Sequence, residues 1–120
     1  MVIQDFDFEK LNVYQKALDF IHKTFAIYKK LPKEFTYTVG DNLVRACLSI
    51  ANNLAEGSGK KFKKEKARYY GTSLDSAREC ISVYNVLRRE ELIEEDIYQQ
   101  IRAQAHEITS MLCGLIKSLE

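Results

Sequence analysis

Apolar residues recur along the chain at intervals of three and four positions, in four separate stretches. The rows in the first, third and fourth stretches are Leu11, Tyr14, Leu18, Ile21, Phe25 and Tyr28; Ala67, Tyr70, Leu74, Ala77, Ile81 and Tyr84; and Ile97, Ile101, Ala105, Ile108, Leu112, Leu115 and Leu119. Such an interval places each row on one face of an α-helix. The pattern therefore predicts an amphipathic helix in each of these stretches.

The second stretch differs because it carries two apolar rows instead of one. The first row is Val39, Leu43, Ala46 and Ile50, and the second is Val44, Leu48, Ala51 and Ala55. A helix in a monomeric bundle needs only one apolar face, so a second row favours burial on both sides. The second row is thus a candidate oligomer interface. The alternative is that this helix is the most central one, with a broad core face.

The breaks between the stretches predict how the helices are connected. Pro32 disfavours helical geometry at Leu31 and ends the first helix, and Gly57 is the predicted stop of the second. Gly71, inside the third, predicts a close approach by a neighbouring backbone. Residues 35–39 alternate in polarity, but this piece is too short for a strand and lacks a partner. We therefore expect an all-α protein, an up-down-up-down antiparallel four-helix bundle in which residues 1–120 form a single domain.

Composition excludes several protein classes. The 120 residues are 46% hydrophobic and 29% charged with a net charge of +1, which argues against a disordered chain and against a surface that is basic throughout. The N-terminus does not resemble a signal peptide, and no apolar run approaches the roughly 18 residues of a membrane span. We expect a cytoplasmic protein without membrane contact. Its three cysteines, Cys47, Cys80 and Cys113, are expected to be buried and reduced.

Residue constellations for catalysis or metal binding are missing from the sequence. His22 and His106 lie outside any Glu-x-x-His motif, which a di-iron bundle requires. The turn at Gly57–Lys60 lacks the spacing of a phosphate-binding loop. We therefore expect no enzymatic activity, no metal and no cofactor.

The densest charge feature is a basic loop, residues 60–68. Its cations are Lys60, Lys61, Lys63, Lys64, Lys66 and Arg68. They are candidates for contact with RNA or DNA phosphates, and Phe62 or Tyr69 could stack on an unpaired base. The alternative is a solvated entry to the third helix, since short lysine runs are common on protein surfaces.

A polar row separates the two apolar rows of the second helix and is assigned a structural role. The structural polar residues are Arg45, Asn52, Asn53, Glu56 and Glu79. Arg45 is expected to pair with Glu56 or Glu79, and the two asparagines are expected to cap carbonyl groups or bond across a subunit interface.

Three segments resemble one known family. They are Leu11-Asn-Val-Tyr-Gln-Lys-Ala17, Arg45-Ala-Cys-Leu-Ser-Ile-Ala-Asn-Asn-Leu-Ala-Glu-Gly57, and Met111-Leu-Cys-Gly-Leu-Ile-Lys-Ser-Leu119. The second of them is the most specific, and shorter matches occur at Leu31-Pro-Lys-Glu34, at Arg68-Tyr69 and at Ser76 with Glu79. The chain resembles the bacterial 23S rRNA-intervening sequence proteins, which include the accessory variability protein of diversity-generating retroelements. Val44 and Asp75 depart from the family pattern, where an arginine and a glycine are usual. The missing arginine weakens the expectation of a basic surface on the second helix.

The resemblance implies a cytoplasmic bundle that assembles into rings, with pentamers expected, and for most members no known activity. Its retroelement members imply a nucleic-acid-binding factor associated with a reverse transcriptase. We expect a non-enzymatic oligomeric assembly or adaptor protein whose partners are copies of itself or another protein. The alternative function is a nucleic-acid-binding accessory factor that uses the basic loop.

Overall fold

Four long helices make up most of the computed structural model, which describes residues 4–120. They are α1 (Asn12–Lys30), α2 (Asp41–Ser58), α3 (Lys63–Arg89) and α4 (Glu95–Lys117), and a short 3₁₀ turn, Asp7–Lys10, precedes α1. No strand occurs in residues 4–120, so the predicted all-α class is confirmed. In the same part of the chain, none of the helices has the unbroken apolar length that a membrane crossing requires.

The connection between α1 and α2 is itself helical. After Pro32, a single α-turn, Lys33–Phe35, continues as a π-helix, Thr36–Gly40, directly into α2. A Cβ atom at Gly40 would lie 3.0 Å from Cε1 of Tyr28. The missing side chain of Gly40 therefore lets this segment lie directly against the end of α1.

Each helix packs against two others in a fixed order. α2 packs on α3, α3 packs on α4, and α1 packs on both α2 and α4. Two polar contacts join α1 to α4: Lys16 Nζ lies 2.8 Å from Glu107 Oε1, and Lys23 Nζ donates to Gln100 Oε1 at 2.7 Å. The later residue of α1, Lys23, therefore contacts the earlier residue of α4, Gln100.

The predicted core face is correct for α4 and wrong for α1. In α4, Ile101, Ala105, Ile108 and Leu112 are buried as expected. In α1 the buried residues are Val13, Ala17, Phe20, Ile21 and Thr24, while Leu18 of the predicted row is 39% exposed. The core face of α1 therefore runs through Ala17 and Phe20 instead of Leu18, and the small Ala17 permits close helix packing.

Thr24 is a polar residue at the centre of this core. Its Oγ1 lies 2.6 Å from the hydroxyl of Tyr84 on α3, and both side chains are fully buried. The ring of Tyr84 also meets Phe20 edge-on, with ring centroids 6.1 Å apart. A buried hydroxyl is tolerated when it is paired, so this hydrogen bond explains why a threonine can occupy a core position.

The cysteines divide into two buried and one exposed. Cys47 and Cys80 are buried, as predicted, but Cys113 is exposed. It follows Leu112, which points into the core, and consecutive helical residues point about 100° apart. The prediction for Cys113 was therefore wrong, because the apolar row beside it in α4 does not include it.

The Thr24–Tyr84 hydrogen bond can be tested by a double-mutant cycle. Tyr84→Phe should lower the free energy of unfolding by about 1–3 kcal/mol, because it leaves the Thr24 hydroxyl buried without this partner. Adding Thr24→Val should recover much of that loss, since the double variant has neither hydroxyl group and buries no unpaired one at this contact. Urea unfolding at one protein concentration measures both variants. Additive losses in the double variant would contradict the assignment.

Candidate functional site: the outer side of α2, the basic loop and the α3–α4 cleft

Small polar side chains hold α2 against α3. Ser49 Oγ lies 2.7 Å from Ser76 Oγ, and Ser73 Oγ donates to the carbonyl oxygen of Ile50 at 2.8 Å. Asn53 Nδ2 donates to both the carbonyl oxygen and the Oγ of Ser49, at 2.8 and 3.0 Å. These serines are short, so the two helices approach closely while their buried hydroxyl groups stay paired.

Gly57 extends this close contact to the end of α2. A Cβ atom there would lie 2.8 Å from Cε1 of Tyr70 and 2.9 Å from Cβ of Tyr69. The helix continues through Gly57 to Ser58, so the prediction that Gly57 stops the helix was wrong. Gly71 does not play the part predicted for it either, because a Cβ atom added there meets nothing within 4 Å. The close approach occurs at Gly57 instead.

The polar row of α2 does not form the predicted ion pair. Arg45, Asn52, Glu56 and Glu79 are all exposed. The two salt bridges in residues 4–120 join other side chains, Lys16 with Glu107 and Arg88 with Glu95. Arg45 therefore forms no salt bridge within residues 4–120, either with Glu56 of its own helix or with Glu79 of α3. Asn53 does have a structural role, because it donates hydrogen bonds to Ser49, but these bonds lie within α2 and do not cross a subunit interface.

The second apolar row of α2 is only partly accessible. Leu48 is 39% exposed, Val44 and Ala55 are half-buried, and Ala51 is 6% exposed. Ala51 is therefore covered by its own chain, and its assignment to an oligomer interface was wrong. Leu48 remains as the large apolar side chain of this row that reaches solvent. Leu18 of α1, the helix that packs on α2, is exposed to the same degree.

The basic loop contains cations of two kinds. Lys61, Lys63 and Lys64 are exposed, and the Nζ of Lys61 lies 5.8 Å from the ring centroid of Phe62. Phe62 is the N-cap of α3, forms no capping hydrogen bond through its side chain, and is 61% exposed. This part of the loop presents three charges and one aromatic ring to solvent.

The other three cations of the loop are engaged by the protein. Lys66 Nζ donates to the carbonyl oxygen of Ser58 at 2.7 Å, which satisfies a backbone acceptor at the end of α2. Lys60 Nζ and Arg68 Cζ lie 5.1 and 4.9 Å from the ring centroid of Tyr69. Tyr69 is half-buried and has two cations over its ring, whereas Phe62 is exposed, so Phe62 is the better placed of the two rings for contact with a ligand.

The two buried thiols are poorly suited to nucleophilic chemistry. Burial raises the pKa of Cys47 to about 11, although a hydrogen bond with Thr24 opposes the shift. Burial raises the pKa of Cys80 as well. The thiolate is the reactive form of cysteine, so both residues are protonated and unreactive near neutral pH. In the described range 4–120, no three His, Cys, Asp or Glu side chains group together as metal ligands would.

A cleft between α3 and α4 brings together charged residues that the sequence analysis did not single out. Its inner part, about 300 Å³, is lined by Arg78, Ile81, Ser82, Asn85, Arg102, Ala105, His106 and Thr109. An adjoining part, about 700 Å³, shares two of these residues and is lined by Asn85, Arg88, Arg89, Glu91, Tyr98, Gln99 and Arg102. The spacing of Arg78, Ser82, Asn85 and Arg89 is a polar helical row and could have revealed one wall of this arginine cleft.

A sequence model of the 23S rRNA-intervening sequence proteins matches residues 9–114. The chain belongs to this family. The expected family resemblance is thereby confirmed, whereas the link to retroelement accessory proteins stays a prediction. Comparison with curated proteins gives no match.

A solved structure shares the fold. It is the crystal structure of a protein of unknown function from the S23 ribosomal protein family of Bacteroides thetaiotaomicron VPI-5482. The two chains superpose with a TM-score of 0.82 at 24% sequence identity, over 88% of this chain and 98% of that chain.

The family resemblance of residues 45–57 has a structural explanation. Ser49 bonds to Ser76 of α3, Asn53 donates to Ser49 within α2, Ile50 is buried, and Gly57 allows contact with Tyr70. These residues are used to pack one helix against another. The segment that most resembles the 23S rRNA-intervening sequence proteins is therefore a packing motif between α2 and α3.

Two glycine-to-alanine variants test this motif with matched chemistry. Gly57→Ala should lower the free energy of unfolding by roughly 1–3 kcal/mol, because the buried Tyr70 ring cannot easily move away. Gly71→Ala should raise it by about 0.5–1 kcal/mol, because alanine favours the helix and meets no neighbour. Thermal or urea unfolding measures both. Equal effects at the two positions would contradict the close-contact role of Gly57.

Proposed function

We propose that the chain is a non-enzymatic, cytoplasmic assembly or adaptor protein that forms a homo-oligomer through the outer side of α2.

The proposal includes an up-down-up-down antiparallel arrangement of the four helices. Three sets of contacts support it, each pairing rising with falling residue numbers. They are Lys16–Glu107 and Lys23–Gln100 between α1 and α4, Ser49–Ser76 and Gly57–Tyr70 between α2 and α3, and Arg88–Glu95 and Asn85–Tyr98 between α3 and α4.

The observation that carries the assembly proposal is the exposure of Leu48. This leucine lies in the middle of α2, a helix that already buries a complete apolar face against its own chain. Val44 and Ala55 extend the same row to either side of it, and Leu18 adds a second exposed leucine on the neighbouring helix. Covering such residues in a subunit contact removes apolar surface from water, which is the main driving force of protein association.

The stoichiometry that we propose is a pentameric ring, which is what the family resemblance favours. A ring requires each copy to contact the next through two different surfaces, because the same rotation repeats from subunit to subunit. The outer side of α2 supplies one of these surfaces. Sedimentation equilibrium should then report a particle of five times the 13.9 kDa chain mass.

The substitution Leu48→Asp should dissociate the oligomer into monomers. A carboxylate without a partner in an apolar interface costs roughly several kcal/mol, and the substitution also removes the apolar contact of the leucine. Light scattering coupled to size exclusion measures the mass of wild type and variant. Circular dichroism checks that the variant is folded, as an exposed position should permit.

Ala103→Asp is the matched control for this experiment. It introduces the same charge at an exposed position of α4, away from the proposed contact, and should leave the oligomer intact. A wild-type protein that stays monomeric at high micromolar concentration would overturn the assembly proposal. If both variants dissociate the oligomer, the effect is not specific to α2, and α2 would no longer be assigned to the subunit contact.

A second function, binding of RNA or single-stranded DNA by the basic loop, is supported by one specific observation. The exposed cations Lys61, Lys63 and Lys64 flank an aromatic ring, Phe62, that is itself exposed. This combination of phosphate-binding charge and a stacking surface is typical of single-strand binding sites with little sequence preference. In a ring the site would be repeated in every subunit and would gain from avidity. An accessory role beside a reverse transcriptase rests on this same surface.

Charge reversal at Lys61 and Lys64 should abolish nucleic-acid binding without unfolding the bundle. Fluorescence anisotropy with labelled oligonucleotides across a salt series measures it, and wild-type affinity should fall steeply above about 50 mM salt because counterions are released on binding. Lys29→Glu with Lys30→Glu is the matched control, since both lysines are exposed at the end of α1. Equal binding by the basic-loop variant and wild type would exclude this function.

A further inference from the structure

The arginine cleft stands apart from the surfaces used so far, because it lies between α3 and α4. Four of the six arginines in the chain line it, Arg78, Arg88, Arg89 and Arg102, and none of its twelve lysines does. The basic loop has the opposite composition, with five lysines and one arginine. A guanidinium group is planar and donates paired hydrogen bonds in a fixed geometry, which matches phosphate and carboxylate oxygens. The composition of the cleft therefore indicates binding of an oxyanion with defined geometry.

A buried tyrosine holds the wall that the two parts of the cleft share. Tyr98 is 2% exposed, its hydroxyl donates to Asn85 Oδ1, and it accepts from Arg102 Nη1 at 3.0 Å. Arg88 lies over the same ring, with its Cζ 4.4 Å from the ring centroid. Asn85 and Arg102 are thereby oriented before any ligand arrives, and such preorganisation lowers the entropy cost of binding.

The charges at the cleft are unequally compensated. Arg88 is neutralised by Glu95 through two hydrogen bonds of 2.8 and 2.9 Å. Glu91 lines the outer part, while no acid lines the inner part. Within residues 4–120 neither Arg78 nor Arg102 forms a salt bridge, and Arg102 donates to the hydroxyl of Tyr98. Two guanidinium groups without a carboxylate partner therefore face the inner part of the cleft, beside the imidazole of His106 and the hydroxyl of Ser82. The hydroxyl of Thr109 donates to the carbonyl oxygen of His106 at 3.1 Å and is already engaged.

We propose that the arginine cleft binds a small phosphomonoester. Arg78 and Arg102 hold the terminal phosphate in the inner part, and the outer part receives the polar remainder of the molecule. A terminal phosphate carries a charge near −2 at neutral pH and has three acceptor oxygens, which suits two guanidinium groups and the adjacent hydroxyl of Ser82. The outer part, lined by Gln99, Arg89 and Glu91, offers both donors and acceptors to a hydroxyl-rich or base-bearing group.

The size of the inner part favours a small ligand over a nucleic-acid strand. About 300 Å³ lies within the usual range for small-molecule sites. A phosphodiester in a strand carries one charge and is flanked by further nucleotides, so it would leave part of the positive charge of the inner cleft uncompensated. This inference does not depend on the oligomer or on the basic loop, and its test leaves both of those proposals unaffected.

Isothermal titration calorimetry with the full chain tests the proposal, using pyrophosphate, uridine 5′-monophosphate and uridine as probes. The two phosphate compounds should bind and uridine should not. Arg78→Gln should weaken binding about tenfold or more, since hydrogen bonds to a charged group are lost. Arg102→Lys should also weaken it, because lysine keeps the charge but loses the paired geometry. Amide signals of Ser82, Arg102 and His106 should shift on addition of the phosphate probes in NMR spectra.

Arg45→Gln is the matched control, because Arg45 is an exposed arginine of α2 outside the cleft. It should bind the probes as wild type does, and thermal unfolding should show that all three variants are folded. The proposal is overturned if neither phosphate compound binds at millimolar concentration, if uridine binds as well as its monophosphate, or if Arg78→Gln binds like wild type. An oligonucleotide with a 5′-hydroxyl group contains phosphodiesters but no terminal 5′-phosphate. If it binds as tightly as uridine 5′-monophosphate and shifts the same amide signals, the assignment to a monoester is overturned.

Discussion

The close contact between α2 and α3 is the constraint on which the rest of the molecule depends. It requires a glycine at position 57 and short hydroxyl side chains at Ser49, Ser73 and Ser76, because larger groups would separate the helices. The large side chains are consequently directed toward the bundle interior, where Tyr84 meets Phe20 and Thr24. The connection between α2 and α3 is short, so the lysines of the basic loop lie in this connection and in the first turn of α3.

This constraint separates structural residues from those available for function. The segment most similar to the 23S rRNA-intervening sequence proteins is largely committed to packing, as Ser49, Asn53 and Gly57 show. The groups that remain free lie on three different surfaces: the outer side of α2, the exposed part of the basic loop, and the cleft between α3 and α4. Because the three surfaces share no residue, a substitution in one can be tested without changing the side chains of the others.

Much of the helical fold could be predicted from local signals. The predicted third helix, whose apolar row runs from Ala67 to Tyr84, lies within α3, and the end of α1 before Pro32 is also correct. Proline and the three-to-four spacing act through the geometry of a single helix, so they can be read from one stretch of chain. The core face of α1 could not be read in this way. Thr24 occupies a core position because its hydroxyl is paired with Tyr84, sixty residues away in the chain.

The same distinction applies to the candidate sites. The sequence alone determined the helical class, the family resemblance and the cluster of lysines, because these depend on the order and spacing of residues within short segments. Only the tertiary structure decided that Ala51 is covered while Leu48 is exposed, that Lys66 binds the carbonyl of Ser58, and that Arg78 lies in the same cleft as Arg102. Those outcomes depend on which neighbouring helix or turn meets each side chain, and the periodicity of a single helix carries no information about its neighbours.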